Sequence, residues 1–198
     1  EIIAKENYQT ETIFTEHHDV FTNTEKANRV EKKLEKNLGK KGISQLLRVY
    51  LSEKEEAERL ILSAIKLSLQ FPTENILENF GHSDILDIAK INKSISREVH
   101  RMHAFVRFEK LQDEVFFAKI EPDFNVLPLI VTHFKNRYRD QKWMIYDLKR
   151  HYGSFYDLED VQFFEPALEQ TQQLKRTENI LHEEEIQYQK LWQRYFFK

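Results

Sequence analysis

At 198 residues, 40% hydrophobic and 32% charged, the chain is long enough to bury a core and too apolar to remain disordered. It contains no cysteine, which excludes disulfides, thiolate catalysis and cysteine-held zinc or iron–sulfur sites and suits a reducing, cytoplasmic setting. Its formal charge of −3 exerts no global pull on nucleic acid. No apolar run approaches the ~20 residues of a membrane span. The sequence opens on Glu1 without a methionine and reads as part of a longer protein, so a missing leader proves little.

Only 4 glycines and 4 prolines predict long regular elements. Thr10 to Thr15 (TETIFT) alternates like a short strand. His17 and His18 follow, beside Glu16 and Asp19. Neighbours on an extended chain face opposite sides, so this reads as a surface loop rather than a metal site. Asn23 or Thr24 caps a helix marked by Ala27, Val30, Leu34 and Leu38, with Gly39 as its stop. A second helix runs from Ser44 through Leu51. Ser52 and Glu55 have the spacing of a capping box for a third, which carries Leu60, Ile61, Ala64, Ile65 and Leu67 and ends at Phe71-Pro72. A helical turn between Glu74 and Phe80 leads to the longest helix, about Asp84 to His103, capped by Ser83. Ile85, Ile88, Ile95, Val99 and Met102 mark its buried side.

The period then changes. Phe105 and Arg107, with Val115, Phe117 and Lys119 beyond LQDE, predict a hairpin. Leu127 to Tyr138 predicts a crossing helix, Lys142 to Asp147 a strand, and Val161 to Phe164 another after a turn near Gly153. A last helix, about Glu178 to Phe196, carries Ile180, Ile186, Leu191, Trp192 and Tyr195. The expected fold is α+β: an N-terminal helical bundle, a small antiparallel sheet crossed by one helix, and a closing C-terminal helix. One domain spans 1–198, with a helical part over about 23–103, a sheet-containing part over about 104–166 and the closing helix over about 178–196.

No glycine-rich nucleotide loop, nucleophile elbow or kinase signature is present, and no cofactor follows from the sequence. His100 and His103 lie three apart on one helix face and, with His133 or Glu121, would suit a metal, yet no HExxH spacing supports one. The acidic residues Glu121, Asp123 and Asp147 suit acid–base work or ion pairs with Arg107, Arg137 or Arg150. The densest signal is basic and aromatic. Between Arg97 and Arg150 stand 11 Lys and Arg against 8 Asp and Glu. Arg97, Arg101, Arg107, Arg137, Arg139 and Arg150 offer bidentate phosphate contacts, with His100, His103 and Trp143 nearby. Trp143, Tyr146, Tyr152 and Tyr156 offer stacking area, or else fill the core between sheet and helix.

The stretches REVHRMHAFVRF (97–108), EPDFNVLPLIVTHFKNRYRDQKWMIYDLKRHYGSFYD (121–157) and LWQRYF (191–196), with KANRVEKKL and RVYLSE in the helical half, resemble a bacterial family of unknown function described as DNA metabolism proteins. The resemblance implies a setting in DNA repair or modification. Family members are encoded beside a radical-SAM protein similar to spore photoproduct lyase, and some are fused to a uracil-DNA glycosylase domain. It implies no catalytic residue. The family's usual N-terminal strand and its basic, aromatic tail after LWxRYF are not in this sequence. Three expectations follow. The first is an accessory DNA-processing protein that binds DNA or a nucleotide and works with the radical-SAM partner. The second is an enzyme on a modified base or nucleotide that uses Asp123, Asp147 or His133. The third is a protein-interaction module presenting Leu191, Trp192 and Phe196.

Overall fold

The computed structural model describes residues 21–110 and 115–165, and the chain divides into two compact units, 1–95 and 96–198. In the first unit, the side chain of Asn23 accepts from the backbone N–H of Lys26 at 2.9 Å and starts α1, Thr24–Leu51. Gly39 does not end this helix as its sequence position predicts. It kinks it instead, with φ 68° and ψ 171°, a backbone conformation open to glycine alone.

The capping box at Ser52 does not form either. The Ser52 hydroxyl donates back to the carbonyl of Val49, and α2, Ala57–Gln70, starts later than expected. Its buried residues Ala57, Leu60, Ala64 and Ser68 recur at helical spacing. Phe71, ahead of Pro72, ends it. A single 3-10 turn, Ile76–Glu78, follows. The long helix α3, Ser83–Phe105, begins in this unit and carries the buried stripe Ile85, Ile88, Ile91, Ile95. Phe105 is therefore helical, not part of a strand, and 68% exposed.

The second unit takes the last turns of α3 and a five-stranded sheet in the order β1 to β5: Glu109–Lys110, Phe116–Ile120, Trp143–Asp147, Tyr152–Tyr156 and Val161–Phe164. The sheet is mixed, which corrects the antiparallel expectation. β2 and β3 run parallel, Phe116 beside Trp143 through Ile120 beside Asp147, while every other pair is antiparallel. The physical reason is α4, Leu127–Arg137, which returns the chain across the sheet before β3, and a crossover of that kind makes parallel neighbours.

Leu127, Ile130, Val131 and Phe134 of α4 pack on Ala118, Ile120, Trp143, Ile145 and Tyr156. The alternate residues Phe117, Met144, Tyr146 and Phe155, with Val115, form a second cluster. β3 is buried along its whole length, as a central strand with both faces covered must be. At Gly153 a Cβ would lie 2.4 Å from the ring of Phe164, so glycine lets the edge strand close over β4. The described chain ends on strands rather than on a helix; the closing helix expected over 178–196 lies outside the described residues, as does the strand expected over 10–15. Among the described residues no helix is long and apolar enough to cross a membrane.

Candidate functional site

The residues that the sequence nominates separate into groups at opposite ends of the parallel pair β2–β3. At the carboxyl end, Glu98 continues the buried stripe of α3 and is 1% exposed. Its two oxygens accept from the backbone N–H groups of Asp123 and Phe124, each at 2.8 Å, and Arg101 approaches at 3.4 Å. Across the same loop, Arg150 donates to the carbonyls of Pro122 at 3.1 Å and Asp123 at 3.0 Å and to the Asp147 carboxylate at 3.1 Å. Asp147 is fully buried and also accepts from the backbone N–H groups of Lys149 at 2.9 Å and Arg150 at 3.0 Å. This lattice holds the loop after β2 against the turn after β3. Arg150, whose side chain is 9% exposed, thus forms the ion pair with Asp147 that the sequence offered as an alternative to phosphate contact. Arg101 is half exposed, paired with Glu98 and 3.9 Å from Asp123.

Arg97 and His100 are exposed on α3. His103 lies instead in the packing of α3 on α4, its ring stacked on that of His133 with centroids 3.9 Å apart and planes 16° from parallel. The Nε2 atom of each is buried without a hydrogen-bond partner among the described residues. Burial first, then His133 and His100, hold the His103 imidazole below its ordinary pKa. Parallel rings aim their lone pairs side by side rather than at one ion, and among the described residues no three His, Asp or Glu side chains gather into a metal cluster. Asp123, Asp147 and His133, the candidate acid–base groups, thus have three separate settings: a solvent-facing carboxylate, a buried ion pair and a ring stack.

At the amino end of the parallel pair lies a pocket of about 350 Å³, lined by Val106, Arg107, Phe108, Phe116, Tyr138, Gln141 and Trp143. The segment leaving α3 supplies one wall and the connection from α4 to β3 another. Tyr138 stacks parallel to Phe134 at 6.3 Å and meets Phe108 edge-on at 5.5 Å, which fixes its ring. Arg137 places its guanidinium carbon 5.6 Å from the centre of that ring and donates from Nε to the Tyr138 hydroxyl at 3.2 Å. The Tyr156 hydroxyl anchors the connection through the carbonyls of Arg139 at 3.2 Å and Leu158 at 2.8 Å. Arg107, Arg137 and Arg139 are all exposed; Arg107 lines the cavity, Arg137 lies on the ring of Tyr138, and Arg139 follows Tyr138 on the same connection.

Trp143 is fully buried as the inner lining of this cavity, packed near Phe108 and Tyr156, and its Nε1–H has no acceptor among the described residues. It offers no exposed stacking face. Nor do Tyr146 and Tyr156, both buried, while Tyr152 is half buried and donates to the side chain of Asn125. The aromatic lining comes instead from Phe108, Phe116 and Tyr138, which sequence reasoning passes over. Tyr138 had a signal, since it stands between two arginines in RYR. Glu98 had one too, as the only charge at a position where the apolar stripe of α3 should continue.

A family model described as a domain of unknown function, DUF4130, matches residues 55–198. No curated protein and no solved structure gives a match.

Proposed function

The chain belongs to the DUF4130 family, and within it we propose that this protein is an accessory factor of DNA repair or modification that binds a DNA strand or nucleotide at the pocket beside β2 and β3. The observation that carries this reading is the aromatic cavity lined by Arg107, with Arg137 on the ring of its Tyr138 and Arg139 next in the chain. Aromatic faces take bases irrespective of sequence, and guanidinium groups beside them take the phosphates. The chemistry would come from the radical-SAM protein similar to spore photoproduct lyase that the family resemblance implies. An enzyme built on Asp123, Asp147 and His133 has less support, because none of these side chains lines the pocket.

Fluorescence anisotropy with an end-labelled DNA oligonucleotide at low salt tests the reading. Micromolar or tighter binding is expected, weakened at least about ten-fold in a variant carrying Arg107→Ala, Arg137→Ala and Arg139→Ala. Absence of binding by the wild-type chain, or equal affinity of the variant, would overturn it.

A further inference from the structure

We infer that the pocket takes one unpaired nucleobase, so that the site selects single-stranded or extruded DNA over intact duplex. This deepens the function proposed above and rests on it. At about 350 Å³, the cavity sits at the small end of the ~300–1,000 Å³ typical of ligand sites, enough for one base with part of its sugar. A base inside a duplex has both faces covered by its neighbours and its pairing edge covered by its partner. It can enter a concavity walled by Phe108, Phe116 and Tyr138 only after leaving that stack.

The polar lining fits a freed pairing edge. Gln141 brings an amide with both donor and acceptor atoms to the pocket wall. The pairing edge of a base carries both acceptors and donors, and so can meet that amide on both sides. The phosphates on either side of that base would fall to Arg107, which lines the pocket, and to Arg137 and Arg139 beside it. An apolar pocket with no cation would suit many small hydrophobic molecules. This one is built for a flat, polar-edged ring attached to negative charge.

The test compares three labelled probes of one length on the full chain at one salt concentration: a single strand, the matching duplex, and a single strand of abasic sites. Binding to the single strand is expected to be at least about ten-fold tighter than to either of the others. Tyr138→Ala should lower single-strand affinity about ten-fold, and Gln141→Ala a few-fold, with abasic binding unchanged in both. Tyr138 packs on Phe134, so its variant is read only if its circular dichroism and melting show a folded chain. Gln141 is partly exposed and tests the same point without touching the core. Equal affinity for all three probes, or tighter duplex binding, would overturn the inference while leaving DNA binding by the arginines intact. Loss of all three probes would instead remove the DNA-binding reading, and the inference with it.

Discussion

Glu98 shows how one side chain can set the geometry of a whole loop. It is a carboxylate with 1% exposure, a state that is costly unless every lone pair has a donor. The backbone N–H groups of Asp123 and Phe124, at 2.8 Å each, meet that need with charge-assisted bonds that neutral groups would not match. Glu98→Ala takes the acceptor from two partly buried N–H groups and should destabilise the protein by about 1–3 kcal/mol. Glu98→Gln keeps the shape but turns an NH₂ toward one of those N–H groups, so it should recover only part of the loss. Urea unfolding measures both variants. An Ala variant within about 0.5 kcal/mol of wild type would mean that the loop holds itself without the carboxylate. Hydrophobic periodicity alone marks this position as anomalous, since Ile88, Ile91 and Ile95 lead to a glutamate on the buried side. What periodicity cannot reveal is the partner, which lies 25 residues away in sequence.

At the scale of elements, local patterns carried well and pairings did not. The helix at Leu127, the strands beginning near Lys142 and at Val161, and the stop ahead of Pro72 all form where propensity and period place them. Strand direction depends instead on where α4 returns the chain, and nothing within FFAKI or WMIYD encodes a parallel neighbour. Gly39 marked a break correctly but not its kind, because glycine permits a kink as readily as a stop.

The packing of α3 on α4 has a pH signature of its own. The folded state holds the His103 pKa below the ordinary 6.5, through burial and then through His133 and His100. The unfolded chain therefore binds a proton there more readily. The stability contributed at this site is complete above about pH 6.5 and is lost as pH falls from there through the folded-state value. The melting temperature should drop between about pH 7.5 and about pH 5.5. His103→Phe, which keeps a ring on His133 and cannot take up a proton, should flatten that slope. An unchanged slope in the variant would place the acid sensitivity elsewhere.

Over the whole molecule, the question is how many of six nominated arginines can meet phosphate together. Sequence places Arg97, Arg101, Arg107, Arg137, Arg139 and Arg150 in one basic stretch, and linear proximity suggests one face. The fold distributes them. Arg150 is tied to the carbonyls of Pro122 and Asp123, Arg101 leans on Glu98 and Asp123, and only Arg107, Arg137 and Arg139 stand on segments that line the pocket. Because the chain as a whole is at −3, no diffuse positive field adds to those local contacts. The salt dependence of single-strand binding counts them, since each phosphate contact contributes about −0.7 to the slope of log K against log salt. Three contacts predict a slope of about −2, and removing one arginine of the three should lower its magnitude by about 0.7. A slope near −4 would instead mean that all six take part. The lattice around Arg150 would then have to open on binding, and Arg150→Lys would weaken binding as strongly as any pocket variant.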